Sequence, residues 1–557
     1  MKYNPLRLSI YLVAAVLLTA CAGKKSLPSA SKLSYNERAQ FDQLYFKASK
    51  EKLLGNYTES ARLFADALKI DPNSHAAMYQ MGNLNMAVSG FNDAVYWSEQ
   101  AMLANPAYNY WYAGQLAQAY SKVAAYEKSA KIFEIMVAEE PEKPLNYLEA
   151  GKQYINAQEF KKAIKWLENY VGKFGIDEET ARLLEGLNLQ IGKDKEAIQW
   201  MEKLAESDQE SVRFQGLLAE SFIRTGQMDK AKTLYNGILK KDPKNGYAYF
   251  GLSDIYKRNK QHDSSFYFLQ EGFNDITVPI ELKIKVVGSF FSYLRTDESM
   301  RLKALTLTQK LVKVHPNEDK AHLVRSDVLH AIGEKTKARS HIIKASELNP
   351  GDIGIWKKLL GIDDELSNAT YLLKDSKKAL EYYPNQPFLY IINSFANFTE
   401  GNYETAISVA EEGMEIALLR NDQTDLLVTI ADASYELGLY EKSFETYDEV
   451  LELDPPNDGA MNNYAYYLAE QKTRLEDALT MIDKALGANP NRPTYLDTKG
   501  WVLFQLGRYN DAIIILEKAY NHFRRDSEVG MHYIKCLEKL GRTEEANKIR
   551  NEISQVN

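Results

Sequence analysis

The sequence predicts an all-α protein built from repeated α-hairpins, and three observations lead to that prediction. Prolines recur at intervals close to multiples of about 34 residues, a period typical of helix-pair repeats. Alanines keep the same phase along the chain, in the second half of each interval. One full interval, residues 491–520, reads as two amphipathic helices joined at a glycine. The periodic prolines are Pro72, Pro106, Pro141, Pro243, Pro316, Pro350, Pro384, Pro455 and Pro490.

The interval 491–520 shows why one repeat needs neighbours. Its first helix is predicted over 494–506, and Gly507 follows at the place where a left-handed residue commonly ends a helix. The second helix carries apolar residues at three- and four-residue steps, so they share one face. Two small residues, Gly500 and Ala512, allow the helices to approach closely. Because a pair this short cannot bury its own apolar faces, stacked copies must form a continuous core.

Two further features recur in the same phase. They are an aromatic residue at the start of the second helix and a small residue within the first helix. With these positions the sequence resembles the tetratricopeptide-repeat family. We count fifteen repeats, starting near residues 41, 75, 110, 144, 178, 212, 246, 280, 319, 353, 387, 424, 459, 493 and 527. The resemblance implies a right-handed α-solenoid of about fifteen helix-turn-helix repeats, whose first helices line a concave groove.

Breaks in the period predict how the chain is organised. The predicted segments are a lipoprotein signal peptide (1–20), a lipidated cysteine with a flexible tether (21–40), an N-terminal array (41–275), a divergent repeat (276–318) and a C-terminal array with a polar cap (319–557). In the divergent repeat, Pro279 opens an apolar helix predicted over 280–294, and extra residues lengthen the turn that follows. We therefore expect a bend between the two arrays at this repeat.

The N-terminal residues have the pattern of a secretion signal. Lys2 and Arg7 precede an apolar run over 8–20 that is too short to span a bilayer as a stable helix. The tetrapeptide Leu-Thr-Ala-Cys that ends at Cys21 resembles a bacterial lipobox, which implies cleavage before Cys21 and lipidation of that residue. The alternative is an ordinary signal peptide with an incidental cysteine.

The residues after Cys21 predict a location. An aspartate directly after the lipidated cysteine would resemble the signal for retention in the inner membrane. This sequence has Ala22 at that position, so the outer membrane is favoured. Lys24 and Lys25 are not followed by the acidic residues that resemble a surface-export signal. We therefore expect an outer-membrane lipoprotein that faces the periplasm, with the membrane contacted through the lipid at Cys21.

Composition and motifs argue against several classes of function. A net charge of −8 leaves no basic excess of the kind that nucleic-acid binding requires. The sequence lacks the motifs of a nucleophilic serine, a phosphate-binding loop or a paired-cysteine metal site. His315, His322, His330 and His341 cluster in sequence, but their repeat positions are expected to point to different faces. We therefore predict no enzymatic activity, cofactor, metal site or nucleic-acid partner.

By the family resemblance, a protein or peptide partner is expected in the concave groove. The predicted groove residues are Phe388, Ile391, Phe395, Phe398, Asn463, Tyr467, Asp497, Trp501 and Phe504. The repeat that begins at 387 is unusual, because Asn393, Ser394 and Asn397 occupy positions that normally face the core. An alternative therefore remains open, in which the first helix is rotated and buries its phenylalanines.

Two stretches near the C-terminus suggest a functional class. Residues 461–468 and 493–501 resemble the last repeats of bacterial envelope tetratricopeptide lipoproteins, particularly those of Bacteroidota, some of which serve type IX secretion. We therefore expect a non-enzymatic periplasmic scaffold that holds the protein partners of an envelope assembly. A periplasmic receptor for an apolar peptide or a saccharide is the alternative.

The lipobox resemblance predicts the outcome of one substitution. Cys21→Ser is expected to abolish lipid attachment and to leave an uncleaved precursor or a soluble periplasmic protein, because one thiol carries the lipid. Metabolic labelling with radioactive palmitate would measure this, with Cys536→Ser as the control that keeps its label. Undiminished label on the Cys21→Ser variant would show that the lipid is elsewhere.

Overall fold

The chain folds into consecutive pairs of α-helices, described here from a computed structural model. The structure describes residues 33–105, 107–523 and 527–554. The predicted signal peptide and Cys21 lie outside the described residues, as does most of the predicted tether. None of the described helices combines the length and the apolar character needed to cross a membrane.

The described ranges contain thirty α-helices and no β-strand, and the chain divides into two compact units between Gly272 and Phe273. The first unit contains α1 (Tyr35–Leu53), α2 (Tyr57–Ile70), α3 (His75–Ala87), α4 (Phe91–Ala104), α5 (Tyr110–Lys122), α6 (Tyr126–Glu139), α7 (Pro144–Asn156), α8 (Phe160–Phe174), α9 (Glu178–Gln190), α10 (Asp194–Ser207), α11 (Val212–Arg224), α12 (Met228–Lys241), α13 (Gly246–Arg258) and α14 (His262–Gly272).

The second unit contains the remaining helices and one short 3₁₀ turn. They are α15 (Ile280–Gly288), the 3₁₀ turn Phe291–Tyr293, α16 (Glu298–Val314), α17 (Asp319–Ala331), α18 (Lys335–Leu348), α19 (Ile353–Glu365), α20 (Ala369–Tyr382), α21 (Pro387–Thr399), α22 (Tyr403–Met414), α23 (Arg420–Glu436), α24 (Tyr440–Leu453), α25 (Asp458–Glu470), α26 (Leu475–Ala488), α27 (Pro493–Gln505), α28 (Tyr509–His522), α29 (Ser527–Lys539) and α30 (Thr543–Ser554).

Odd-numbered helices are the first helices of the pairs, and most of them begin at the residue that the repeat period predicted. The predicted fold class, an array of fifteen helix-turn-helix pairs, is confirmed. Helix α1 begins earlier than predicted because Ser34 and Glu37 form a capping box: the Ser34 Oγ accepts from the Glu37 backbone N–H at 3.3 Å, and the Ser34 N–H donates to Glu37 Oε2 at 2.8 Å. Helix α23 also begins early, at Arg420.

The pair α27–α28 shows how small residues set the distance between helices. A Cβ atom at Gly500 would lie 2.5 Å from the Leu516 Cγ, so only glycine fits there without movement of the neighbour. Ala512 on the facing helix is fully buried. Gly507 ends the pair's first helix with φ 76°, in the left-handed region that favours glycine. The close approach predicted from Gly500 and Ala512 is confirmed.

The divergent repeat differs from the prediction of one long apolar helix. Helix α15 ends at Gly288, and a 3₁₀ turn follows before α16. Lys283 in α15 is fully buried; its Nζ donates to the Asp275 backbone carbonyl at 2.6 Å and lies 2.8 Å from His315 Nε2. Burial lowers the pKa of Lys283 to about 8. Lys283 thus brings polar contacts into the interior of the divergent repeat; the bend expected here stays a prediction.

The helix contact at Ala512 predicts a change in stability. Ala512→Leu is expected to lower the free energy of unfolding by about 1–3 kcal/mol, because three more carbons enter a close-packed contact. Lys518→Leu on the exposed side of α28 is the matched control and should have little effect.

Hydrogen exchange resolved by segment would locate the loss. Because repeat arrays transmit stability mainly between neighbouring repeats, protection should fall first around α27 to α30. An equal loss of protection in every repeat would contradict this expectation.

Candidate partner-binding groove

The predicted groove residues lie on first helices of the second compact unit. The helices are α21, α25 and α27; the first helix α23 comes between α21 and α25, and α29 follows α27. Each of these five helices contacts the next. We call the surface that they share the first-helix face. Side chains far apart in sequence can meet on it, because successive first helices lie side by side.

Helix α21 turns apolar side chains toward the first-helix face. Phe395 is 51% exposed, while Phe388, Ile391 and Phe398 are partly buried. Phe388 packs against the core formed by α17 to α21, and the other two pack against the core formed by α22 to α27. Phe395 is therefore the most open of the four predicted residues.

The buried side of α21 carries three polar residues besides Leu389 and Ala396. Asn393, Ser394 and Asn397 are each at most 5% exposed. The Asn393 Nδ2 donates to Ser376 Oγ at 2.8 Å, and the Asn397 Nδ2 donates to the Asn393 backbone carbonyl at 3.0 Å. These hydrogen bonds satisfy amides that would otherwise be costly to bury. The alternative in which α21 buries its phenylalanines does not hold for Phe395, whereas Phe388 and Phe398 are partly buried against the core.

A cluster around Asp432 brings together two predicted residues, Asn463 and Tyr467. The Tyr447 hydroxyl donates a hydrogen bond to Asp432, and Asn463 and Tyr467 also hydrogen-bond to it. Burial raises the pKa of Asp432 to about 6, although these hydrogen bonds oppose the rise. The ring of Tyr467 stacks on Tyr435 with centroids 3.8 Å apart. This part of the face is an acidic group surrounded by aromatic rings.

The structure covers most of Trp501 and Asp497, two residues that were predicted to continue the groove as an amphipathic surface. Trp501 is 3% exposed and Asp497 is 7% exposed. Helix α29 covers both, because its His532 ring stacks on Trp501 at 4.2 Å and its Nδ1 lies 3.0 Å from Asp497 Oδ2. Phe504 stacks on Trp501 at 4.9 Å and remains partly exposed. Trp501 and Asp497 thus belong to the floor of the face.

Two hydrogen bonds cross the face between repeats. The Trp501 Nε1 donates to Glu470 Oε1 at 2.5 Å. The Tyr466 hydroxyl donates to Glu528 Oε1 at 2.5 Å and so joins α25 to α29 past the intervening α27. Burial, and then the bond to Glu528, raises the pKa of Tyr466 far above its ordinary value, so the hydroxyl stays protonated. The bonds hold two carboxylates of the face in defined positions.

Sequence reasoning overlooked several residues of this face. Asp432 and Tyr435 could have been found, since they occupy the same places in the repeat that starts near 424 as the predicted residues do in theirs. Tyr466 and His532 fall outside the positions assigned to the groove. Their contacts depend on how one pair packs on the next, which no pattern within a single repeat reports.

The histidine cluster also departs from expectation. His322 and His341 were expected on different faces, but their Nδ1 atoms lie 3.2 Å apart. Burial lowers the pKa of His341 to about 4. His330 lies apart from them, with its Nε2 2.9 Å from Glu365 Oε2. Within the described ranges, no group of three or more His, Cys, Asp or Glu side chains is placed to hold a metal ion.

Comparison with protein-family models finds three matching segments. Residues 217–245 and 424–457 match tetratricopeptide-repeat models. Residues 471–550 match the model of anaphase-promoting complex, cyclosome, subunit 3. The matched segments include α24 and α26 to α29, which form or support the first-helix face.

Curated relatives are also repeat proteins. A TPR repeat-containing protein of Pseudomonas aeruginosa is 31% identical over 147 residues, which are 26% of this chain and 24% of that protein. A TPR repeat-containing protein of Methanocaldococcus jannaschii is 23% identical over 384 residues, covering 59% of this chain and 67% of the relative. The alignment thus spans only about a quarter of the Pseudomonas protein.

Solved structures with similar chains have low similarity scores. One is Naa15/Naa10 bound to HypK-THB, with TM-score 0.40, 14% identity and coverage of 92% of this chain and 94% of that one. Another is the APC/C hetero-tetramer Cut9–Hcn1, with TM-score 0.34, 12% identity and coverage of 89% and 96%. The family models thus identify tetratricopeptide repeats at residues 217–245 and 424–457, within a chain whose described residues form consecutive helix pairs.

Proposed function

We propose that the protein is a non-enzymatic scaffold that binds protein partners through the first-helix face of its last five repeats. The observation that carries this proposal is the inverted arrangement of α21, in which Phe395 is exposed while Asn393 and Asn397 are buried. Tetratricopeptide arrays indicate a role in protein–protein interaction, which agrees with this use of the face.

The arrangement of α21 is difficult to explain by stability alone. Burying a phenylalanine side chain stabilises a fold by about 1.5–3 kcal/mol, and α21 forgoes part of this gain at Phe395. Buried asparagines add little net stability even when their hydrogen bonds are made. A partner that covers Phe395 recovers the apolar burial, and aromatic side chains of this kind often dominate the energy of an interface.

The location is also part of the proposal. The lipobox-like tetrapeptide supports a lipid anchor at Cys21, and Ala22 after it supports the outer membrane. The lack of acidic residues after Lys24 and Lys25 supports an array in the periplasm. The resemblance of 461–468 and 493–501 to envelope lipoproteins supports service to an envelope assembly, such as a type IX-like secretion machine.

The proposal predicts that Phe395→Asp weakens partner binding by at least about fivefold, because it places a charge where an aromatic anchor is needed. The matched control is Ile514→Asp, since Ile514 is 56% exposed on the second helix α28. Affinity capture from the cell envelope with quantitative mass spectrometry would compare both variants with the unmodified protein.

The expected result is a defined set of proteins that the unmodified protein and Ile514→Asp retain and Phe395→Asp loses. Circular dichroism should show the same helix content in all three proteins. Equal recovery of the same proteins by both variants would remove the first-helix face from the proposal.

A further inference from the structure

Three carboxylates on the first-helix face make no salt bridge to the described residues of the chain. Asp432 and Glu436 lie on α23, and Glu470 lies on α25. Asp432 accepts hydrogen bonds from neutral side chains, and Glu470 accepts one from the indole of Trp501. In the described part of the chain, no lysine or arginine makes a salt bridge to any of the three. None of the three carboxylates is thus paired directly with a described lysine or arginine.

In other repeats, carboxylates of the first helices form salt bridges. Salt bridges join successive first helices in both compact units, where a lysine or arginine of one helix meets a carboxylate of the next. The pairs are Lys152–Glu179 at 2.9 Å, Arg213–Glu178 at 2.7 Å, Arg224–Glu185 at 2.5 Å, Lys320–Glu281 at 2.7 Å and Lys358–Asp327 at 2.6 Å. Among the described residues of the repeats from α23 to α27, no lysine or arginine of one first helix forms a salt bridge with a carboxylate of the next.

The uncompensated carboxylates converge on one small area. Glu436 follows Asp432 by four residues, so the two side chains share one face of α23. Gln471, which follows Glu470 in the chain, donates from its Nε2 to the Tyr435 hydroxyl at 3.0 Å and so places this end of α25 beside Tyr435. Glu436 and Glu470 are exposed, so a ligand can reach both.

Aromatic rings complete the area. Tyr435 and Tyr467 form a stacked pair whose members are both partly exposed, and Tyr435 also accepts a hydrogen bond from the Gln471 Nε2 at 3.0 Å. Aromatic faces attract ammonium and guanidinium groups and also accept the apolar stems of lysine and arginine. One cation, Lys535, lies further along the face, with its Nζ 4.8 Å from the Trp501 ring centre.

We infer that this area binds a segment of a protein partner that carries lysine or arginine side chains. The inference rests on the proposed function, because it assigns a chemistry to the partner of the same face. The cationic groups of the segment meet Glu436 and Glu470, and their stems lie on the Tyr435–Tyr467 pair. Phe395 lies two first helices away from Glu470. It contacts an apolar side chain of the same partner. Charge complementarity of this kind mainly sets specificity and the rate of association.

The inference can be tested with synthetic peptides and the purified chain. The probes are three short fluorescent peptides in which leucine alternates with lysine, with glutamate or with serine. Fluorescence anisotropy at low salt should show that the lysine peptide binds at least about tenfold more tightly than the other two. Its affinity should fall as salt is raised, because exposed charges are screened.

Charge-neutral variants locate the binding area. Glu436→Gln combined with Glu470→Gln is expected to weaken binding of the lysine peptide by about tenfold. A glutamine at 470 keeps an oxygen that can accept the Trp501 N–H, so the floor of the face is preserved. The matched control combines Glu449→Gln with Glu452→Gln, which removes the same charge from exposed positions of the second helix α24. The control should bind within about twofold of the unmodified protein.

Each outcome decides the inference. Preference for the lysine peptide that is lost in the first pair of variants and kept in the control supports it. Equal binding of the lysine and serine peptides, an unchanged affinity in the first pair of variants, or no binding of the lysine peptide at low salt overturns it. If Phe395→Asp still loses its captured partners in that event, the scaffold function stands and only the cationic chemistry fails.

Discussion

The close approach of the two helices in each pair is the constraint on which the rest of the structure depends. A Cβ atom at Gly151 would lie 2.9 Å from Leu167, and one at Gly500 would lie 2.5 Å from Leu516, so the same geometry recurs in distant repeats. Small residues at these contacts set how each pair packs. Every pair then presents a similar apolar side to its neighbours, and the array grows by repetition.

The close approach of the helices constrains only a few positions in each repeat. The side chains on the outward side of the first helices can therefore differ from one repeat to the next. Salt bridges such as Arg213–Glu178 join successive first helices among α7, α9 and α11. Helices α21 to α27 place Phe395, Tyr435 and Glu470 on the corresponding face. The fold is therefore shared by all repeats, whereas the chemistry of recognition belongs to the side chains of a few of them.

The second compact unit also contains polar groups in its interior. Asn393 and Asn397 hydrogen-bond within the core, and Asp497 lies against His532 between two first helices. Buried polar groups of this kind contribute little net stability, but a wrong packing arrangement would leave them without partners. We interpret them as groups that specify how α21 sits on its neighbours and how α29 sits on α27.

The sequence by itself determined the repeat period and the start of most first helices. It also identified Gly500 as a small residue at the contact between α27 and α28. These features are local, since a proline, a glycine or an apolar stripe acts within one repeat. Only the tertiary structure decided that Trp501 is covered, that Tyr466 reaches Glu528 and that Asp432 lies among tyrosines. Those contacts join side chains of different helices, and they depend on the angle at which one pair packs on the next. A one-repeat pattern contains no information about that angle.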